Sequence, residues 1–167
     1  PIFDARGDTL SARAATQIWK DADRKARLCT AFAAEAGLDS FDGYLAGLLH
    51  NSGWTAVLRA IDGMPDIDVS AADLAHDDVV AQISVRRDAL FGAIVGPWNL
   101  SPALDLLAAE IGAVGIDAVQ SPLGVALREA DRLAAWRALS SAGQRGAAAV
   151  PRWESLAQPV RDCYAAL

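Results

Sequence analysis

The stretch "YLAGLLHNSG", residues 44 to 53, decides the fold. The run from Leu45 to Leu49 contains no polar side chain and leads directly into His50. A helix that is apolar on every side is usually buried on every side, so the residue at its end is expected to be buried or to face an enclosed cavity. We therefore predict a central buried helix over about residues 41-50 and expect His50 to be an internal histidine.

Helical periodicity extends upstream of this stretch. From about Ala12 to Ala36, small and apolar side chains recur at the spacing of one helix face, and Gly37 is a C-cap signal for that helix. Ser40 is then the expected N-cap of the central helix, and "NSG" is expected to end it. Two helices joined by a short loop predict a helical hairpin.

Downstream of the hairpin the helix signals continue, and strand signals are nearly absent. "GWTAVLRAID" predicts a short third helix, and the capping box at residues 70-73 predicts the start of a fourth. We expect a break after Val85, and then a helix that ends near Pro97. "SPAL" and "SPLG" each place a Ser N-cap before a Pro at the first helical position, and residues 153-167 predict a terminal helix. The fold class is therefore predicted to be all-α.

Composition restricts the class of protein. The chain has 167 residues, of which 53% are hydrophobic and 22% charged, which predicts a single compact domain over residues 1-167. A net charge of -6 argues against a nucleic-acid partner. No apolar stretch is long enough to span a membrane and the first ten residues lack signal-peptide character, so we expect a cytoplasmic location. Cys29 and Cys163 are expected to be free thiols.

Four segments of the chain carry a resemblance to a known family. "IWKDADRKA", "DGYLAGLLHNSG", "FGAIVGPWNLSPAL" and "ALREADRLA" resemble, in order and spacing over roughly residues 17-140, the HDOD family, the HD-related output domains of bacterial signalling proteins. The resemblance implies an HD-like multi-helix bundle that acts in signal transduction without established enzymatic activity. Because the family has a further helical region upstream, we expect this chain to be either a fragment or a shortened relative.

The resemblance also implies a degenerate metal site. HD hydrolases hold a cation with a histidine on the first helix, a His-Asp pair and an aspartate on a later helix. In this chain Asp21 stands at the position of the first histidine, the pair is His50 and Asn51, Arg87 stands where the family often has a histidine, and Asp131 is retained. A neutral amide and a guanidinium are poor replacements for metal ligands. We therefore expect no bound metal and no cofactor.

Other interpretations of these residues remain open at this stage. Asp21 has the spacing of a surface ion pair with Lys25, and His50 could instead bond a helix-end carbonyl. Asp131 is expected to form a structural salt bridge or hydrogen bond, because it lies at the edge of an apolar stripe. Without a cation the inward carboxylates need positive charge, so we predict a charge-assisted hydrogen bond from Arg87 to Asp131 or Asp21.

Trp98 and Asn99 have two interpretations as well. Trp98 could belong to the core, or it could line a groove together with Asn99.

Three functions are compatible with the sequence. We favour a non-catalytic regulatory module that binds a protein partner through its helix surfaces. The alternatives are a metal-dependent phosphohydrolase, and a sensor that binds a nucleotide or another small anion in the vacated metal cavity through Arg87.

Overall fold

The structure, a computed structural model, describes residues 10–63, 77–141 and 153–167. Every regular element within these ranges is helical, which confirms the all-α prediction. The α-helices are α1 (Leu10–Glu35), α2 (Ser40–His50), α3 (Ser52–Asp62), α4 (Asp77–Val95), α5 (Pro102–Val114), α6 (Pro122–Ser141) and α7 (Gln158–Ala165). Short 3-10 turns follow α4 at Gly96–Trp98, follow α5 at Ile116–Ala118 and precede α7 at Trp153–Ser155. None of the helices in the described ranges is long and apolar enough to cross a bilayer.

Local capping chemistry sets most of the helix ends. Beyond the last turn of α1, the N–H of Leu38 donates to the carbonyl of Ala33 at 2.8 Å, and Gly37 has a φ of 70°, as expected for a glycine C-cap. The predicted cap at Gly37 is confirmed. At the start of α2 the cap is Asp39 and not Ser40, because Oδ1 of Asp39 accepts from the N–H of Phe41 at 2.7 Å.

The two Ser-Pro signals are confirmed. Oγ of Ser101 accepts from the N–H of Leu104 at 3.2 Å, and α5 begins at the proline that follows Ser101. Oγ of Ser121 accepts from the N–H of Gly124 at 3.2 Å, and α6 begins in the same way. These short-range bonds satisfy backbone donors that the first turn of a helix leaves unpaired.

The predicted break after Val85 is wrong, because α4 continues without interruption through that residue to Val95. β-branched residues lower helix propensity only slightly, and the packing of α4 against α3 and α5 outweighs that preference. The helix does end before Pro97, as predicted. The predicted capping box at residues 70-73 lies outside the described residues.

The helices pack around one apolar core. α1 packs against α2 and α6, α4 packs against α3 and α5, and α7 packs back on α1. The predicted terminal helix therefore contributes Val160 to the core. Cys29 is buried in the same core, and both cysteines are free, as predicted.

Helix α2 lies at the centre of the bundle, where it contacts α1, α3, α4, α5 and α6. Only one of its faces is buried, however. Ala46 and His50 are inaccessible to solvent, whereas Phe41 is 66% exposed and Tyr44 is 38% exposed. The apolar run therefore predicted the central position of the helix, but not the exposure of its outer face.

Glycines allow helices to approach α2 and α3 closely. A Cβ atom added to Gly47 would lie 2.6 Å from both N and Cα of Ala26 on α1, and one added to Gly43 would lie 2.7 Å from Cβ of Ala33. Gly53, in the first turn of α3, likewise lies against the carbonyl of Arg87 on α4. "NSG" therefore ends α2 not by glycine capping but by passing directly into α3, with its glycine at a helix contact.

Gly47→Ala should destabilise the protein by about 1–3 kcal/mol, because the added methyl group overlaps the backbone of α1 and forces α1 and α2 apart. Urea denaturation at equilibrium measures this loss. Gly96→Ala is the matched control, since a Cβ there meets no atom within 4 Å. Equal stability of the two variants would contradict the close helix contact.

Candidate functional site

A buried ammonium group lies at the centre of the polar site. Lys25, on α1, has a side chain that is 1% exposed. Its Nζ lies 2.5 Å from Oδ1 of Asp131, 2.6 Å from Oδ1 of Asn51 and 3.1 Å from Nδ1 of His50. An ammonium carries three N–H donors, and here each of them has an acceptor. The charge is therefore both paired and fully hydrogen-bonded, which a buried charge requires.

Asp21 and Asn51 complete the surroundings of this ammonium. Oδ2 of Asp21 lies 3.7 Å from Nζ of Lys25 and accepts from Nδ2 of Asn51 at 3.1 Å. Nδ2 of Asn51 also donates to the carbonyl of Ile18 at 3.2 Å. These two bonds fix the amide so that its oxygen faces Lys25. The side chain of Asn51 therefore contributes no capping bond to α3.

His50 is neutral and has a defined tautomer. An ammonium can only donate, so Nδ1 of His50 accepts from Lys25, and the proton on Nε2 points to Oδ1 of Asp88 at 3.4 Å. Burial and, next, the positive charge of Lys25 lower the pKa of His50 to about 4. The ring also makes an edge contact with Phe91, at 5.5 Å between centroids.

Asp88 connects His50 to a second cation. Its Oδ1 accepts from Nε of Arg87 at 2.7 Å, and its Oδ2 accepts from the N–H of Ile116 at 2.9 Å. Burial would raise the pKa of Asp88, but the hydrogen bonds from His50 and Arg87 outweigh it, and the pKa is lowered. The guanidinium carbon of Arg87 lies 5.7 Å above the ring of Trp54.

Asp131 forms a structural salt bridge, as predicted. The side chain of Asp131 is 26% exposed, and its Oδ1 contacts Lys25. Burial would raise the pKa of this carboxyl, but the positive charge of Lys25 more than offsets it and holds the pKa well below its usual range.

The structure brings four of the five predicted positions together, but around a cation that the sequence analysis did not name. Asp21, His50, Asn51 and Asp131 all surround Nζ of Lys25. The predicted bond from Arg87 to Asp131 or Asp21 is wrong, because Arg87 donates to its neighbour Asp88.

One signal in the sequence could have found Lys25. It lies three residues after Ala22 and four residues before Cys29, on the apolar stripe of α1. That spacing placed its side chain on the buried face, although the pairing with Asp21 resembled a surface ion pair.

The alternative interpretation of His50 is wrong. Its ring bonds Lys25 and Asp88 rather than a helix-end carbonyl.

Trp98, one of the two proposed groove residues, lines an apolar groove. An apolar groove of about 410 Å³ lies between α1, α2, α3 and the 3-10 turn after α4, and Trp19, Leu48 and Trp98 are among its lining residues. Trp19 is 55% exposed and Trp98 is 52% exposed. Asn99 instead closes the turn in the left-handed conformation, with Nδ2 donating to the carbonyl of Pro97 at 3.0 Å.

The donor set around Lys25 does not fit a divalent cation. The ammonium already holds the point where Asp131, Asn51 and His50 converge, and a second cation there would face uncompensated repulsion. Within the described ranges, no three or more histidine, cysteine, aspartate or glutamate side chains are arranged so that they could hold a metal ion.

Comparisons with protein-family models, with curated proteins and with solved structures found no significant match to this chain.

Lys25→Met should destabilise the fold by about 3–5 kcal/mol. The substitution leaves the Asp131 carboxylate without its counter-charge, and leaves Asn51 and His50 without their hydrogen-bond donor, in a largely buried site. Urea denaturation measures the loss. Lys20→Met is the matched control on the exposed side of the same helix and should change stability by less than about 0.5 kcal/mol.

A double-mutant cycle identifies the partner of Asp131. Lys25→Met combined with Asp131→Asn should show a coupling energy of about 1 kcal/mol or more, whereas Arg87→Met combined with Asp131→Asn should be closer to additive. A larger coupling energy for Arg87 and Asp131 than for Lys25 and Asp131 would show that Arg87 is the partner of Asp131.

Stability should fall as the pH is lowered from 6.5 towards 4. In this window the unfolded chain binds a proton at His50 that the folded chain excludes, and the loss reaches roughly 3 kcal/mol once both states are protonated. Denaturation midpoints at a series of pH values measure it. His50→Gln should flatten the profile, whereas His76→Gln should leave the contribution of His50 in place. An unchanged slope in His50→Gln would show that another group titrates.

Proposed function

We propose that this protein is a non-catalytic regulatory module of bacterial signal transduction, related to the HDOD family, that acts in the cytoplasm by binding a protein partner. The observation that supports this most directly is the Lys25 ammonium. It lies among Asp21, His50, Asn51 and Asp131, the positions at which the family resemblance implies a former metal site.

An internal ammonium replaces the charge of a cation but not its chemistry. Metal-assisted hydrolysis needs a cation with an open position that polarises a bound water. Lys25 uses its three N–H donors on Asp131, Asn51 and His50, and its side chain is 1% exposed. The phosphohydrolase alternative would require a cation to displace it. A sensor for a simple anion is also less favoured, because an anion at Lys25 or Arg87 would lie beside the carboxylate that already pairs with that cation.

The apolar groove is the surface that we assign to the partner. Large apolar side chains that are half exposed at a concave surface are typical of the residues that dominate binding energy at protein interfaces. Trp19 and Trp98 have this character, and Leu48 lies in the groove with them. A groove between helices accepts the apolar face of an amphipathic helix, so the partner that we propose presents such a helix.

Phosphate release tests the non-catalytic part of the proposal. Purified protein incubated with magnesium or manganese and a panel of nucleotides and phosphodiesters should release no phosphate above the level of a no-protein blank. Turnover that His50→Ala abolishes would favour the phosphohydrolase alternative.

Binding through the groove has its own test. A partner recovered with the wild-type chain is purified, and its affinity is measured by calorimetry. Trp19→Ser combined with Trp98→Ser should weaken that affinity by about tenfold or more, through the loss of apolar contact area. Leu106→Ser is the matched control, because Leu106 is 58% exposed and does not line the groove. Equal affinities of all three proteins would exclude the groove.

A further inference from the structure

A second cavity adjoins the polar site on the side of α4 and α5. It has a volume of about 640 Å³, and α4, α5 and the 3-10 turn Ile116–Ala118 form its walls. Asp131 reaches it from α6. Its lining residues differ from those of the groove that we assign to the partner. Its size is in the range of small-molecule sites.

Two charged residues that line this cavity have polar atoms that no other contact uses. Asp131 contacts Lys25 through Oδ1, and Arg87 contacts Asp88 through Nε. Within the part of the chain that the structure describes, Oδ2 of Asp131 and the two Nη atoms of Arg87 have no hydrogen-bond partner. Both residues line the cavity. Asp131 therefore keeps one carboxylate oxygen that can accept a hydrogen bond, and Arg87 keeps one planar guanidinium edge that can donate.

The charges around the cavity exclude ligands of a single sign. A simple anion bound to Arg87 would lie in a cavity that the carboxylates of Asp88, Asp117 and Asp131 also line. A simple cation bound to Asp131 would lie near Arg87 and would compete with Lys25 for the same carboxylate. A molecule that carries one charge of each sign meets both groups and adds no net charge to a partly buried site.

The remaining walls indicate the rest of the ligand. Apart from these polar groups, the lining is mostly small or apolar, and it includes Val85, Ala89, Ile111, Val114 and Ile116. An apolar side chain would gain contact area against these walls. A guanidinium edge is suited to bidentate recognition of a carboxylate, and a carboxylate oxygen accepts from an ammonium.

We infer that this cavity binds a free α-amino acid with an apolar side chain. Its carboxylate bonds the Nη atoms of Arg87, and its ammonium bonds Oδ2 of Asp131. The inference goes beyond the proposed function and does not depend on it, because the partner groove has its own lining residues.

The experiment is a thermal-shift screen of the full chain, followed by calorimetry. The probes are L-valine, L-leucine, L-isoleucine, L-methionine and L-phenylalanine, each at concentrations up to about 10 mM, since a ligand that binds only the native state raises the melting temperature. At least one should bind with one-to-one stoichiometry. Its N-acetyl derivative and its amide each lack one charge, and both should bind about tenfold more weakly or worse.

A cavity-filling variant locates the binding. Ala89 is exposed on α4 and lines the cavity, so Ala89→Phe should weaken the affinity by about tenfold or more without disturbing the core. Ala93→Phe is the matched control, because Ala93 is exposed on the same helix and does not line the cavity.

Three results would overturn the inference. They are no binding by any of the five amino acids, an amide or N-acetyl derivative that binds as tightly as its parent, and an affinity that Ala89→Phe leaves unchanged. Phosphate and manganese are assayed in parallel, and one-to-one binding of either ion in place of the amino acids would also overturn it.

Discussion

The fold depends on the burial of one ammonium group. Nζ of Lys25 can be held away from water only where acceptors surround it, and these come from α6, from the end of α2 and from the residue that follows α2. The close contact between α1 and α2 at Gly47 is what lets the ammonium reach them. The packing of α1, α2 and α6 and the burial of the Lys25 charge therefore depend on each other.

The polar groups continue from this ammonium towards both concave surfaces. Asn51 bonds Lys25 and lines the apolar groove, whereas Asp131 bonds Lys25 and lines the cavity between α4 and α5. His50 and Asp88 extend the network to Arg87. The groove and the cavity therefore border the same hydrogen-bonded network, in which neighbouring bonds polarise one another.

The site shows how far residue identity alone could predict contacts. The resemblance brought Asp21, His50, Asn51 and Asp131 to attention, and the structure places all four around one point. From their identities we inferred that the inward carboxylates need a positive charge nearby, and the ammonium of Lys25 supplies it. Which cation fills it was not available from identity, because a long side chain reaches several carboxylates and only the helix packing selects among them.

The sequence by itself determined the features that depend on neighbours along the chain. The end of α1 at Gly37 and the starts of α5 and α6 follow from bonds within a few residues, and the apolar run in α2 marked the central helix. The tertiary structure alone decided that α4 continues through Val85, because its contacts with α3 and α5 outweigh a weak local preference. It also decided that Lys25 is internal, since the energy of a charge depends on groups that folding brings from distant parts of the chain.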